Sequence, residues 1–258
     1  MESFATEWGQ IVVLAGVGFV AGFMNVFAGG GSLLTLPIML WLGMPAPVAN
    51  ATNRIGLITQ NIAATTAFHQ GHVLPARTVL KLSLVVIPGS LLGAWLAIDI
   101  DETLFRRILV VVMLVSLWAI LRRKPAREVW KPRTDGVTWR LMFSFLAMGV
   151  YAGFIQAGLG FVIIAVLTSI GHFDLIRTNA IKVAVVLIAQ LVALTLFGLS
   201  GTVDWAAGAA LALGSTTGAW TAAHVQLARG SVWVRRVVVT LLVLFTLRLV
   251  YEGFVAGV

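Results

Sequence analysis

The fold of this chain is decided by residues 22–54, which read GFMNVFAGGGSLLTLPIMLWLGMPAPVANATNR. Three consecutive glycines, Gly29, Gly30 and Gly31, interrupt an apolar run, and each costs a helix about 1 kcal/mol relative to alanine. In a bilayer, the backbone groups that such a break frees must be met by protein or by a polar cavity. A shorter copy of the pattern follows at residues 153–182. Broken helices at corresponding places in two halves are typical of a transporter's binding site.

The composition indicates an integral membrane protein. Of the 258 residues, 59% are hydrophobic and 11% are charged, whereas a soluble domain carries about 25% charged residues. The net charge of +8 follows from membrane topology, so no nucleic-acid partner is expected. The chain has no cysteine and four scattered histidines, so we expect no disulfide, no metal site and no cofactor. The acidic N-terminus lacks the positive region of a cleavable signal peptide.

The apolar segments predict an all-α, polytopic fold, since spanning a bilayer takes roughly 20 apolar residues. Each half contains a broken or re-entrant helix pair and three spanning helices. The predicted division is a first membrane repeat at 1–121, a basic cytoplasmic linker at 122–140 and a second membrane repeat at 141–258. The predicted segments are 11–27, 33–42, 50–68, 82–98 and 108–121 in the first half, and 141–157, 161–170, 178–199, 205–225 and 237–254 in the second.

The placement of lysine and arginine predicts the orientation. With the linker in the cytoplasm, most basic residues fall on the cytoplasmic side and most acidic residues on the other side. Both termini are therefore predicted outside. The first half then begins outside and the second inside, so the two repeats are predicted to be inverted. Polar matches such as Asn50 with Asn179 and Gln60 with Gln190 recur at a spacing of 129 or 130 residues.

Particular motifs resemble a known family. The run GGGSLLTLP at 29–37, then GMP at 43–45 and ANATN at 49–53, is similar to the TauE/SafE family of sulfite and organosulfonate exporters, the TSUP group of permeases. GLG at 158–160 and TNAIK at 178–182 resemble its weaker second copy. The chain departs from the family pattern at Asn53 and Arg54, where members often have small hydroxylated residues. The resemblance implies a bacterial inner-membrane permease for a small sulfur-containing or related carboxylate anion.

The two breaks and the helices that follow them supply the candidate site. Exposed backbone N–H groups and the start of the short helix at Leu33 favour an anion, with Ser32 as helix cap; close helix packing is the alternative use of the glycines. Arg54 and Lys182 are predicted to reach inward from opposite faces of the membrane and to bind an anionic substrate. The alternative is that their side chains extend to the lipid headgroups.

The remaining candidates are buried amides. Asn25 and Gln156 are predicted either to line a cavity or to hydrogen-bond the backbone at the breaks. Gln60 and Gln190 are predicted either to line that cavity or to form hydrogen bonds between helices. Trp95 and Trp220 are candidate cavity walls. Two glycine pairs, Gly89 with Gly93 and Gly214 with Gly218, are predicted to be sites of close helix packing. The predicted substrate-binding residues are Asn25, Gly30, Gly31, Ser32, Asn50, Thr52, Asn53, Arg54, Gln60, Gln156, Asn179, Lys182 and Gln190.

The predicted function is a secondary transporter of a small organosulfur or sulfite-like anion, working by alternating access. An anion channel and a permease for a small non-sulfur carboxylate are the alternatives. An enzyme is not expected, because the chain lacks cysteine, paired histidine motifs and paired intramembrane carboxylates. The expected partners are the small anion and the lipid bilayer, and a homodimer is allowed.

Overall fold

The computed structural model describes residues 2–27, 29–122 and 137–229, and its regular secondary structure there is entirely α-helical. The predicted last span at 237–254, Ala28 and most of the basic linker lie outside these residues. The helices in order are α1 (Glu2–Phe27), α2 (Ser32–Trp41), α3 (Ala46–Gln70), α4 (Ala76–Ile98), α5 (Glu102–Arg122), α6 (Trp139–Phe154), α7 (Leu159–Ser169), α8 (Leu175–Leu199) and α9 (Trp205–Arg229).

The same order of elements occurs in both halves. A helix ends at a break, a short helix of 10 or 11 residues follows, and a 25-residue helix comes next. The predicted broken pairs are therefore α1 with α2 and α6 with α7. The inverted orientation of the halves in the membrane stays a prediction.

The helix beginnings were predicted too late in several places. The helix predicted from residue 50 begins at Ala46, and the helix predicted from residue 178 begins at Leu175. The missed residues are mostly apolar. Proline is tolerated in the first turn of a helix, so α3 includes Pro47, and Asp174 caps α8, which therefore begins directly after it. At the linker, α6 begins at Trp139, inside the segment predicted to connect the halves.

The long helices of the two halves interlock at glycines. An ideal Cβ placed on Gly93 of α4 would lie 1.9 Å from the Val150 carbonyl oxygen of α6. One on Gly218 of α9 would lie 2.0 Å from the Phe19 carbonyl oxygen of α1. Only glycine allows backbones to approach so closely. The predicted packing role of these glycines is confirmed, and each broken long helix packs on a helix of the other half.

The outer surface is apolar, as lipid contact requires. Trp95, Leu84 and Leu213 are more than half exposed, and many other large apolar side chains are partly exposed. Among the described residues, three helices are long and apolar enough to cross a membrane, at Gly9–Val26, Ala76–Ile98 and Leu175–Leu199. The chain is a polytopic membrane protein. Trp95 and Trp220 were wrongly predicted as cavity walls, because both lie on this outer surface.

Polar residues are concentrated in the centre, on α3 and α8. The first half of α3 buries Asn50, Asn53 and Arg54, and α8 buries Asn179 and Lys182. Buried polar groups in a membrane protein need partners within the protein. These helices pack against each other next to the two breaks, so their polar faces and the freed backbone groups share one region.

Candidate functional site

The two breaks meet at the centre of the protein in direct backbone contact. The Gly160 N–H donates a hydrogen bond of 3.2 Å to the Gly29 carbonyl oxygen. An ideal Cβ on Gly29 would lie 2.3 Å from the Gly160 Cα, so no larger residue fits at the crossing. Gly29 also has a φ of +80°, which glycine adopts without strain. The breaks of the two halves therefore form one structure.

A narrow cavity lies beside this crossing, with room for about one or two water molecules. Both short helices begin at it, α2 with Ser32 and α7 with Leu159. Helix N-termini carry a partial positive charge, so both favour a negative group in the cavity. The cavity is lined by Asn25, Gly29, Ser32, Leu57, Asn61, Gln156, Leu159, Gly160, Lys182, Val183 and Val186.

The glycine run has a packing role beside the cavity. An ideal Cβ on Gly30 would lie 2.8 Å from the Phe161 ring, and one on Gly31 would lie 2.5 Å from the Ala21 carbonyl oxygen. The N-cap of α2 is Gly31, and no side chain of the residues that the structure describes caps that helix. The prediction that Ser32 caps α2 is therefore wrong. Ser32 is the first helical residue, and it lines the cavity.

Lys182 holds the end of the first broken helix. Its Nζ donates to the carbonyl oxygens of Asn25 at 2.8 Å and Val26 at 2.9 Å, in the last turn of α1. It also donates to the Asn179 Oδ1 at 3.0 Å. The last carbonyls of a helix lack helical partners and carry a partial negative charge. A lysine from the second half thus stabilises the break of the first half.

Arg54 holds the end of the second broken helix. Its Nη1 donates to the Ala152 carbonyl oxygen at 2.9 Å and to the Gln190 Oε1 at 2.7 Å. Its Nη2 donates to the carbonyl oxygen of Gly153 at 2.5 Å and, more weakly, to the next carbonyl at 3.4 Å. Its guanidinium also lies 4.6 Å from the centre of the Phe197 ring. An arginine from the first half thus stabilises the break of the second half.

Both cations lie in the interior. Arg54 is fully buried and Lys182 is 2% exposed. Each cation lies about two turns into its helix. The predicted helix beginnings, which were too late, would place each of them only about one turn in. The side chains do not extend to the protein surface, so the headgroup alternative does not describe their position. Lys182 lines the cavity, whereas Arg54 is not among the lining residues.

The other amides and hydroxyls on α3 and α8 connect separate helices. Asn50 Nδ2 donates to the Phe154 carbonyl oxygen at 2.8 Å, which is a further bond to the end of α6. Asn53 Oδ1 accepts from the Thr35 hydroxyl at 2.7 Å. Thr52 Oγ1 accepts from the Asp204 N–H, just before α9. These residues surround the breaks rather than line the cavity.

The buried polar atoms without a hydrogen-bond partner among the described residues are mostly donors. Two of them, Asn61 Nδ2 and Gln156 Nε2, belong to side chains that line the cavity. A buried donor left unpaired costs about 1–3 kcal/mol, so each favours a ligand or water that accepts. The remaining donors of this kind are Asn53 Nδ2, Arg54 Nε, Gln60 Nε2, Asn179 Nδ2 and Gln190 Nε2. The unpaired buried atoms around the crossing are therefore mainly hydrogen-bond donors.

Sequence reasoning missed Asn61, which is 1% exposed and lines the cavity. The signal was present, because Asn61 lies seven residues after Arg54 and eleven after Asn50. Both spacings are close to whole turns of an α-helix, which places all three on one face. Gln60, which was predicted, lies beside that face and does not line the cavity.

Comparison with known proteins supports the resemblance read from the motifs. Residues 14–249 match the family model described as sulfite exporter TauE/SafE. A probable membrane transporter protein of Haemophilus influenzae is 30% identical, over 94% of this chain and 95% of its own length. The probable membrane transporter protein YfcA of Escherichia coli K12 is 29% identical, over 98% and 96%. A probable membrane transporter protein of a Sinorhizobium species is 25% identical, over 91% and 90%. No solved structure matches the chain.

The family match covers most of the chain and includes both breaks. The chain therefore belongs to the sulfite exporter TauE/SafE family.

Proposed function

We propose that this TauE/SafE-family protein is a secondary transporter of a small oxyanion of the sulfite or organosulfonate class, working by alternating access. The observation that carries the proposal is the donor-rich cavity where the two breaks cross. Lys182, two unpaired amide donors and two helix N-termini converge there. The relatives' descriptions as probable membrane transporters and the family's description as sulfite exporters agree with it.

The charge at the cavity supports an anion as substrate. Among the described residues, its lining includes one lysine and no carboxylate. The Lys182 ammonium is a full positive charge at the cavity, and opposite charges attract strongly in a buried site. An oxyanion in the cavity would be attracted to this charge and would accept hydrogen bonds from the amide donors. Sulfite, sulfonates and carboxylates all meet this requirement.

The size of the cavity supports a carrier. Room for about one or two waters is too little for an anion with three oxygens and a central sulfur. The site must therefore widen for each substrate. Because the breaks touch through Gly29 and Gly160, movement of either half changes the shape of the cavity. A fixed open channel would not require this widening.

We divide the predicted substrate-binding residues into two roles. Asn25, Ser32, Gln156 and Lys182 are proposed to contact the anion, together with Asn61, because their residues line the cavity. The others are proposed to hold and shape the breaks. These are Gly30, Gly31, Asn50, Thr52, Asn53, Arg54, Gln60, Asn179 and Gln190.

The proposed location is the bacterial inner membrane, with both termini outside. The bacterial sources of the relatives and the distribution of basic residues support it. Accessibility labelling of single cysteines in the cysteine-free chain tests the orientation directly. Labelling of both terminal positions from the cytoplasm alone would contradict it.

Transport into proteoliposomes tests the function. We expect saturable sulfite uptake and counterflow by the parent, and loss of both in Lys182→Met. Lys81→Met is the matched control, since it removes the same charge from an exposed position outside the cavity. Unsaturable conductance would favour the anion channel. Uptake of acetate without sulfite would favour the carboxylate permease.

A further inference from the structure

In the part of the chain that the structure describes, seven positions have a positive φ, and six of them form three pairs. The two members of each pair are 129 residues apart, which is the spacing between Asn50 and Asn179. Such positions are set by the local backbone path, so this spacing supports the internal repeat independently of the sequence matches. The pairs are Gly29 with Gly158, Gly43 with His172, and His72 with Gly201.

Gln156 is the seventh position and has no such counterpart. Its φ is +51°. The residue 129 positions earlier is Phe27, which ends the regular helix α1. The corresponding helix α6 ends two residues sooner, at Phe154, and the chain then turns through the left-handed region at Gln156. The two breaks therefore differ at this residue.

The left-handed region is unfavourable for glutamine. There the Cβ approaches the following carbonyl oxygen, and glycine, asparagine and aspartate are the residues that visit it routinely. Strained residues of this kind cluster at binding sites, where the surrounding structure fixes them. If backbone shape were the only requirement at position 156, glycine would serve better.

The structure fixes this turn from several directions. The Gln156 N–H donates to the Tyr151 carbonyl oxygen at 3.0 Å, and the Gln156 carbonyl oxygen accepts from the Leu159 N–H at 3.0 Å. The Tyr151 hydroxyl donates to the Ala157 carbonyl oxygen. Just before the turn, Arg54 binds the last carbonyls of α6. The strained residue is thus held between two anchored segments.

The side chain of Gln156 lies in the candidate site. It is 4% exposed, it lines the cavity, and its Nε2 has no hydrogen-bond partner among the described residues. Asn61 contributes a second unpaired amide donor to the same cavity. Two amides and the Lys182 ammonium give donors for an anion with several acceptor oxygens.

We propose that Gln156 is a specificity-determining residue, whose left-handed backbone presents its amide N–H groups to an oxygen of the transported anion. This inference rests on the proposed function and adds to it an amide contact that selects oxyanions by hydrogen bonding. A site that hydrogen-bonds its substrate discriminates strongly against ligands that lack the matching group. Arg54 acts here as a positioning residue, because it holds the helix end that precedes the turn.

Gln156→Gly, compared with His72→Gly, tests the proposal. His72 has nearly the same φ, +55°, but is exposed and lies outside the cavity. Both variants relieve the same backbone strain, so we expect both purified proteins to have thermal midpoints equal to or above the parent's. Sulfite affinity, measured from the shift of the midpoint with sulfite concentration, should fall at least tenfold in Gln156→Gly only.

Gln156→Glu is the second variant, because it keeps the size of the side chain and replaces the donor amide with a carboxylate. We expect it to lose sulfite affinity at least as strongly as Gln156→Gly. In Gln156→Gly and in Gln156→Glu, the ratio of sulfite affinity to chloride affinity should fall, since chloride has no acceptor oxygens for the amide to recognise.

The outcomes separate this inference from the proposed function. Parent-like sulfite affinity in Gln156→Gly would overturn the inference and leave the transporter proposal intact. A lower thermal midpoint in Gln156→Gly would overturn the strain argument. Failure of the parent to bind or transport sulfite, thiosulfate, ethanesulfonate or acetate would overturn the proposed function itself.

Discussion

The carboxyl ends of α6 and α1 are held in different ways. Arg54 approaches α6 with both terminal nitrogens, its guanidinium lies over the Phe197 ring, and the residue is fully buried without lining the cavity. Lys182 approaches α1 with a single ammonium that also lines the cavity. In each half, a cation from the opposite half caps the broken helix. The comparison indicates that Arg54 is a fixed support of the second break, and that the first break is held by a group that also lines the cavity.

The physical basis is the chemistry of the two cations. Arginine has five donors in a rigid planar fork and stacks on aromatic rings, which suits several fixed carbonyls. Lysine is a compact charge with three donors on a flexible stem. A lysine can therefore redistribute its hydrogen bonds between helix carbonyls and an arriving anion more readily than the arginine can.

The largest expected effect comes from removing the fixed support. Arg54→Ala leaves several carbonyls at the end of α6 without a donor, and each unpaired buried group costs about 1–3 kcal/mol. We expect the thermal midpoint of the purified protein to fall by about 10 °C or more. Arg106→Ala is the control, since its exposed ion pair with Glu102 contributes about 0–1 kcal/mol. An unchanged thermal midpoint in Arg54→Ala would contradict the assignment of Arg54 as the fixed support of the second break.

Next in size are substitutions at the helix crossings, where the two halves are alike. Gly93→Ala and Gly218→Ala each force a methyl group against a carbonyl oxygen, and overpacking costs about 1–3 kcal/mol. We expect similar falls in thermal midpoint, of several degrees each. Gly16→Ala is the control, because no neighbouring atom in the described ranges lies within 4 Å of an ideal Cβ there. A lower thermal midpoint in only one of these two variants would show that the two helix crossings are not equivalent.

Removing the lysine should affect binding more than stability. Lys182→Ala also uncovers carbonyls, but these border the cavity, where water can replace the ammonium. We expect a fall of a few degrees in the thermal midpoint, smaller than in Arg54→Ala, with sulfite affinity reduced about 100-fold or more. Titration of the thermal midpoint with sulfite measures both quantities. A larger fall in thermal midpoint than in Arg54→Ala would mean that Lys182, rather than Arg54, is the main structural support.

The smallest expected change in stability is at Asn61. Asn61→Leu replaces an amide whose Nδ2 is unpaired among the described residues with an apolar side chain of similar size. Removing such a donor relieves a desolvation cost, so the thermal midpoint should stay the same or rise. Sulfite affinity should fall about tenfold, because the cavity loses one donor. A clear loss of stability would mean that Asn61 supports the helices rather than the substrate.

Much of the fold was readable because membrane helices obey strong local rules. Apolar length and glycine breaks located the helices, and the spacing of Gly89 with Gly93 and of Gly214 with Gly218 indicated close crossings. Helix beginnings were placed late at α3 and α8, since Pro47 is accepted in a first helical turn and Asp174 is the N-cap of α8, whereas both residues were interpreted as parts of turns. The helical spacing places Asn61 on the same face as Asn50 and Arg54, but only the packing of the helices shows that this face borders the cavity at Asn61.

By itself, the sequence determined that this is a polytopic helical membrane protein of the TauE/SafE family with two central breaks, because apolar length and glycine runs are local properties of the chain. The tertiary structure decided which groups those breaks use. The sequence predicts that Arg54 and Lys182 both bind an anionic substrate. In the structure, each donates hydrogen bonds to carbonyl oxygens of a helix more than 95 residues away. Which buried donors are satisfied by protein, and which point into a cavity, depends on how distant helices pack.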